Sequence, residues 1–138
     1  MARHELCVAP QGSAIARLID WIRSCCEADA VADNVAFKLA LAVEEAVTNV
    51  ITHGFLDLPP PHRIAVRLDI TAQAVVAEII DNGRPFDPTA APGPDLALPL
   101  DQRRPGGLGI HLMRHMVDRI EHRRSDGNNL LRLETARG

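Results

Sequence analysis

Lysine is almost absent from this chain: Lys38 is the only one among 15 lysine and arginine residues. A phosphate-binding loop of the GxxxxGK[ST] type needs a lysine after its glycines, and no such pattern occurs in the sequence. The HRD and DFG segments that mark the protein-kinase fold are absent too. The net charge is −3, which gives no electrostatic case for nucleic acid, since such a partner usually needs a basic face. We therefore expect no direct nucleic-acid partner.

Cysteines are few, and no apolar run is long. The three cysteines, Cys7, Cys25 and Cys26, are odd in number and do not form a disulfide framework, so we interpret them as small buried hydrophobic residues. No apolar run approaches the roughly 20 residues that span a bilayer, and the N-terminus lacks a secretory leader pattern. We expect a cytoplasmic protein with no membrane partner.

The chain has 138 residues, of which 46% are hydrophobic, and this predicts a single domain over residues 1–138. The second predicted helix has Asp33 as its N-cap and Gly54 as its C′ residue. Hydrophobic periodicity predicts helices over residues 14–27, 33–53 and 107–118, and strands over residues 3–9, 64–71, 74–80, 119–124 and 130–135.

This order, β-α-α-β-β-loop-α-β-β, predicts an α+β fold. Short turns between consecutive strands favour an antiparallel or mixed sheet with helices on one face. The loop over residues 82–106 holds six of the ten prolines and has no periodicity. Such a long loop within a compact domain is typical of a lid or a binding loop.

Polar side chains line one face of the second predicted helix. Glu45 and Asn49 are four residues apart, about 5–6 Å between Cβ atoms, and His53 follows at the same spacing. An asparagine oxygen suits Mg²⁺, and a glutamate one turn away can accept a proton from a nucleophile. Glu44 points about 100° away, and we expect it at the surface. The alternative interpretation is an ordinary solvated helix face.

An acid and a glycine follow the most apolar predicted strand. Asp81 at the strand end can accept a hydrogen bond from an exocyclic amine such as adenine N6. Gly83 lets the backbone pass close to a ring because it has no Cβ atom. The alternative is a plain Asp-Asn-Gly turn.

Glycines open the third predicted helix at Gly106-Gly107-Leu108-Gly109. Converging backbone N–H groups at a helix N-terminus favour a phosphate group. The alternative is simple glycine capping of a loop. Arg103 and Arg104, which precede the glycines, either reach a terminal phosphate or form a solvated basic pair.

Taken in order, these segments resemble a known family. Residues 45–49 with His53-Gly54, Asp81-Asn82-Gly83 with Arg84-Pro85-Phe86, and residues 107–110 resemble the N, G1 and G2 boxes of the GHKL (Bergerat-fold) ATPases. The most similar subgroup is the anti-sigma factor serine/threonine kinases of bacterial partner-switching systems. The resemblance covers roughly residues 3–135.

The resemblance implies an α/β sandwich with a mixed, mostly antiparallel sheet and an ATP lid over about residues 84–106. It implies ATP and Mg²⁺ as cofactors, with Glu45 as the catalytic general base and Asn49 as the metal ligand. Asp81 would read adenine. The implied nucleotide-binding residues are Asn49, His53, Asp81, Gly83, Arg104, Gly106, Gly107, Leu108 and Gly109.

The implied partners are a sigma factor, which such proteins sequester, and a STAS-type anti-sigma factor antagonist, which they phosphorylate. A homodimer is typical of the family. The chain departs from the family at Pro85, which replaces a glycine. It also departs at residues 128–130, where many relatives have a threonine that supports the adenine site. Here that contact is either missing or made by an asparagine.

Two other functions are considered beside the anti-sigma factor kinase. One is a non-catalytic, ATP-responsive protein-binding switch, which the presence of both Glu45 and Asn49 disfavours. The other is a histidine-kinase-type ATP domain, which needs a phosphoaccepting histidine on a pair of dimerisation helices. We do not expect this class, because the N-terminal length before the first motif is small for such a pair.

Overall fold

A computed structural model of the chain describes residues 2–88 and 107–137. The order of elements predicted from the sequence is confirmed. Residues 89–106, with Arg104 and Gly106 among them, lie outside the described residues. The strands are β1 (Ala2–Val8), β2 (Ile64–Ile70), β3 (Ala74–Asp81), β4 (Arg119–Ser125) and β5 (Asn128–Ala136), and the helices are α1 (Ile15–Ala28), α2 (Asp33–Asn49) and α3 (Gly107–Met116).

The five strands form one sheet in the order β1-β2-β3-β5-β4. Every neighbouring pair is antiparallel. The α+β class is therefore confirmed. Of the two predicted sheet types, antiparallel and mixed, the described strands form the antiparallel one. The apolar strand β3 is central, so Asp81 at its end has a strand on each side. Its cross-strand partners are Ile64 on β2 and Asn129 on β5.

The two faces of the sheet differ in chemistry because strand side chains alternate. The inner face carries buried residues such as Val66, Leu68 and Leu133, which pack with the helices in one hydrophobic core. The outer face carries charges that alternate in sign across adjacent strands. The middle row of that face is Glu5, Arg67, Glu78, Arg132 and Glu121. The helices of the described residues therefore cover the inner face and leave the outer face open.

The cysteines divide between these environments. Cys25 and Cys26 on α1 are free and buried, as predicted. Burial, with a smaller contribution from Cys25, raises the pKa of Cys26 to about 11, so this thiol is unreactive at neutral pH. The prediction was wrong for Cys7, which is exposed. Alternation along β1 places it on the outer face with Arg3 and Glu5.

Both ends of α2 differ from the prediction. Ala32 has the extended backbone of an N-cap residue, and Asp33 lies in the first turn, where its charge favours the helix dipole. At the other end the α-helix stops at Asn49 and continues as a π-helical turn, Val50–Gly54. Gly54 does not adopt the left-handed conformation predicted for a C′ glycine. None of the helices described here is long and apolar enough to cross a membrane.

Candidate active site

Asp81 is a carboxylate held at the end of the central strand with only 5% of its surface exposed. Its Oδ1 atom accepts hydrogen bonds from the Gly83 backbone N–H (2.8 Å) and from Asn129 Nδ2 (3.1 Å). Its Oδ2 atom has no hydrogen-bond partner among residues 2–88 and 107–137. A buried acceptor with one free oxygen is suited to bind a donor from a ligand.

Burial raises the pKa of Asp81 above its ordinary value of 3.8. The hydrogen bonds from Asn129 and Gly83 oppose that rise, as do the nearby side chains of Arg124 and His122. The carboxylate therefore carries a desolvation cost that these neighbours only partly offset. A desolvated acid with specific charged and hydrogen-bonded neighbours is a candidate for a functional-site residue.

Gly83, which follows β3, packs against Gly54 at the end of the π-helical turn. A Cβ atom at this position would lie 2.7 Å from the Gly54 carbonyl oxygen and 2.9 Å from Asp81 Oδ1. The Arg84 N–H donates to the same Gly54 carbonyl (2.8 Å). The contact with Gly54 already requires glycine here, independently of any ligand. The predicted role of Gly83 in a base pocket remains a prediction.

Asn82 fixes the Asp-Asn-Gly segment to the loop that precedes β2. Its side chain accepts a hydrogen bond from the Arg63 N–H (2.7 Å) and donates one to the Pro61 carbonyl (2.8 Å). Two hydrogen bonds therefore hold the segment against this loop. The segment is more than the plain turn that was the alternative interpretation.

Asn129 occupies the position beside Asp81 where the resemblance led us to look for a threonine. Its side chain is buried, donates to Asp81, and also donates to the Arg84 carbonyl (2.7 Å). Of the two alternatives, a missing contact or an asparagine in its place, the structure has the asparagine.

Sequence reasoning missed two residues near Asp81. Arg124 donates from Nη1 to the Gly83 carbonyl (2.8 Å), and His122 Nε2 lies 3.2 Å from Asn129 Oδ1. The tight turn at Asp126-Gly127 is the sequence feature from which their positions could have been predicted. A two-residue turn sets the β4–β5 register, and that register pairs Arg124 with Asn129.

The predicted polar face of α2 is present. Glu45 and Asn49 lie one turn apart and are half-buried. Within the described part of the chain, neither side chain has a hydrogen-bond or ion-pair partner. Glu44, predicted to be at the surface, is half-buried as well. His53 is exposed and lies in the π-helical turn, whose wider winding changes its angle relative to Asn49.

Helix α3 begins at Gly107, as predicted, so Gly107, Leu108 and Gly109 occupy its first turn. The helix is tied to the start of the loop, since Arg114 Nη2 donates to the Pro88 carbonyl (2.9 Å). It also packs against α2, the helix that carries Glu45 and Asn49. Arg104 and Gly106 lie outside the described residues, and their roles remain predictions.

Comparison with known proteins agrees with this architecture. Residues 8–135 match the family described as Histidine kinase-like ATPase domain. The chain is 37% identical over 115 residues to Serine/threonine-protein kinase BtrW of Bordetella bronchiseptica, covering 82% of this chain and 79% of the relative. The chain therefore belongs to the family of histidine kinase-like, or GHKL, ATPase domains, as its three motifs indicated.

Two solved structures share the fold. One contains the RsbU and RsbW domains of Rv1364c from Mycobacterium tuberculosis. It matches all of this chain with a TM-score of 0.70 at 14% identity. The other is the histidine kinase domain of a blue-light activated histidine kinase from Erythrobacter litoralis, with a TM-score of 0.58 at 15% identity over 91% of this chain. This chain spans 34% of the first and 60% of the second, so at these identities the two matches support the fold alone.

Proposed function

We propose that this protein binds ATP with Mg²⁺ and transfers the γ-phosphoryl group to a serine or threonine of a protein partner. The observation that carries the proposal is the Asp81 carboxylate, which is buried at the end of β3 and whose Oδ2 has no partner in residues 2–88 or 107–137. A second observation supports it: Glu45 and Asn49 project oxygens without partners, within the described residues, from one face of α2.

The residues fit the proposed cofactor. Asn49 offers the neutral oxygen that Mg²⁺ accepts beside phosphate and water, and Asp81 offers an acceptor for the adenine amine. The backbone N–H groups in the first turn of α3, at Gly107, Leu108 and Gly109, are suited to phosphate oxygens. His53, Gly83, Arg104 and Gly106 complete the proposed nucleotide-binding set.

Bound Mg-ATP would supply the transferable phosphoryl group and neutralise its developing charge. Glu45 is proposed to accept the proton that the serine or threonine hydroxyl loses as its oxygen bonds to the γ-phosphorus. The bond between that phosphorus and the β,γ-bridging oxygen breaks, and ADP leaves. The rest of the site acts by positioning, because phosphoryl transfer needs little covalent chemistry from the protein. Asp81 holds the base end of the nucleotide, while α2 and α3 hold the phosphate end.

We further propose an anti-sigma factor role for the protein in the cytoplasm. In this proposal it sequesters a sigma factor, phosphorylates a STAS-type anti-sigma factor antagonist, and acts as a homodimer. The serine/threonine kinase named among its relatives supports the transfer reaction. The partner identities follow from the subgroup that the motifs resemble.

The test separates nucleotide binding from phosphoryl transfer. Purified wild type, Glu45→Gln and Glu44→Gln are compared by thermal unfolding with and without Mg-ATP. They are then incubated with [γ-³²P]ATP and recombinant STAS-domain proteins. We expect Glu45→Gln to keep the ATP-induced rise in Tm but to lose about 10²-fold or more of the transfer rate. Glu44→Gln is the matched control and should retain both.

Transfer at the wild-type rate by Glu45→Gln would show that Glu45 is not the base. Binding of ATP by the wild type without transfer to any STAS-domain protein would favour a nucleotide-responsive binding protein. Failure of the wild type to bind Mg-ATP at millimolar concentration would refute the proposed cofactor itself.

A further inference from the structure

The side chain of Asn129 is held by four hydrogen bonds, which fix the orientation of its amide. Oδ1 accepts from the Phe86 N–H (3.3 Å) and from His122 Nε2 (3.2 Å). Nδ2 donates to Asp81 Oδ1 (3.1 Å) and to the Arg84 carbonyl (2.7 Å). A carboxylate and a carbonyl only accept hydrogen bonds, so the amino group must face Asp81 and Arg84. The amide oxygen must then face two donors.

His122 is one of those two donors and also reaches the start of the loop. Its side chain is only 10% exposed. Because Asn129 Oδ1 can only accept, His122 Nε2 must carry the hydrogen of that bond. Its other ring nitrogen, Nδ1, lies 3.8 Å from Asp87 Oδ1. The imidazole therefore stands between Asn129 and the first residues of the predicted lid.

The orientation of Asn129 decides what Asp81 offers a ligand. With Asn129 Nδ2 and the Gly83 N–H both on Oδ1, the remaining acceptor of the carboxylate is Oδ2. An acceptor at this position favours a 6-amino purine and disfavours a 6-oxo purine, whose oxygen would face it. If the amide of Asn129 rotated, its oxygen would face the carboxylate, and Asp81 Oδ1 would keep only one of these two donors, the Gly83 N–H.

We propose that His122 is a positioning residue for purine specificity, acting through Asn129 on Asp81. The proposal rests on the proposed nucleotide function of the site. It assigns to β4 a part in selecting the base, although His122 itself need not touch the nucleotide.

Selectivity between ATP and ITP tests the proposal, because the two differ in the 6-amino and 6-oxo groups. Dissociation constants for both nucleotides with Mg²⁺ are measured by calorimetry for wild type, His122→Phe and His122→Gln. We expect His122→Phe to lower the ATP preference, the ratio of the ITP and ATP dissociation constants, about fivefold. This factor corresponds to the free energy of one lost hydrogen bond. His122→Gln keeps a donor and should retain most of the preference. His4→Phe, on the opposite edge strand, should leave it unchanged.

A double-mutant cycle tests whether His122 acts through Asn129. We expect Asn129→Leu to reduce the ATP preference, and His122→Phe combined with Asn129→Leu to reduce it no further. Additive losses in the double variant would overturn the relay. So would a His122→Phe protein that binds both nucleotides more weakly but keeps the wild-type preference, since that pattern reports a structural role only.

A measurement on the unmodified protein keeps the proposal testable even if these variants fold poorly. Long-range ¹H–¹⁵N NMR correlations of the imidazole should show that Nε2 of His122 is protonated at neutral pH. An unprotonated Nε2 would contradict the hydrogen bond to Asn129. A wild type that binds ATP and ITP equally would instead refute the reading of adenine by Asp81, and with it the proposed site.

Discussion

Asp81 combines two properties that a structural aspartate rarely has together, since it is buried and one of its oxygens is free of partners within the described residues. Burial raises its pKa above 3.8, so ionisation costs more in the folded chain than in the unfolded chain. The stability that Asp81 contributes is therefore greatest below pH 3.8. It is lost as the pH rises from that value through the raised pKa.

The raised pKa of Asp81 leads to a prediction for Asp81→Asn. The asparagine oxygen can still accept from Gly83 and Asn129, and the desolvated charge is gone. We expect the variant without nucleotide to unfold, at pH 7, at the same temperature as wild type or higher. It should lose the Mg-ATP effect, which at 100 times the Kd is about 2.7 kcal/mol, because its amino group would face the adenine amine. Thermal unfolding with and without Mg-ATP measures both quantities.

Asp69→Asn is the matched control, because Asp69 lies on the outer face of β2 and its side chain is 44% exposed. This variant should keep the Mg-ATP effect. An Asp81→Asn protein that is less stable without nucleotide would instead mean that the carboxylate has a structural role. A retained Mg-ATP effect would mean that Asp81 does not read the base.

At the scale of elements, the contact between the end of β3 and the π-helical turn sets the shape of the site. A methyl group on residue 83 would lie 2.7 Å from the Gly54 carbonyl oxygen, a backbone atom that cannot move alone. We expect Gly83→Ala to lower the free energy of unfolding by about 1–3 kcal/mol, as overpacking usually does. The Tm should fall by several degrees. Chemical denaturation of the protein without nucleotide gives the value.

Gly12→Ala provides the comparison, because a Cβ atom at Gly12 would have no neighbour within 4 Å. It should leave stability within about 0.5 kcal/mol of wild type. A stable Gly83→Ala protein that has lost only nucleotide binding would show that the contact with Gly54 relaxes easily. The glycine would then be required for the ligand alone.

Elements with strong periodicity were predictable, whereas their ends were less so. The alternation in β2 and the stripe on α2 located these elements within a few residues, because one face of each must be buried. The π-helical turn after Asn49 was not predictable, since Val50–Gly54 continues the apolar spacing of an α-helix. Gly54 was taken for a C′ residue, but its carbonyl is the partner of Arg84 across the molecule.

The candidate site was likewise predictable only in part. Asp81 and the face of Glu45 and Asn49 were predicted from residue type and spacing. His122 and Arg124 were missed because their contacts depend on the β4–β5 register and on how β5 lies beside β3. The resemblance pointed to the position that Asn129 occupies. Only the packed structure shows its four hydrogen bonds.

At the scale of the whole molecule, stability comes from one face of the sheet. The inner face and the helices share a single core among the described residues. The outer face carries exposed ion pairs such as Arg67 with Glu5 (3.3 Å), which are worth about 0–1 kcal/mol each. Substitutions on the two faces of one strand should therefore differ sharply in their cost.

Strand β5 allows this comparison with a single type of change. Leu133 is fully buried on the inner face, whereas Leu130 is half-buried on the outer face and lines a pocket there with Arg67 and Ile80. We expect Leu133→Ala to lower the free energy of unfolding by about 2–5 kcal/mol, because the core cannot close the cavity. Leu130→Ala should cost about 1 kcal/mol, since the lost side chain is already in contact with water. Urea denaturation of both variants gives the two values. Equal losses would mean that the outer face is covered in solution. A Tm of the purified wild-type protein that rises with its concentration would then indicate that a second copy of the chain covers it.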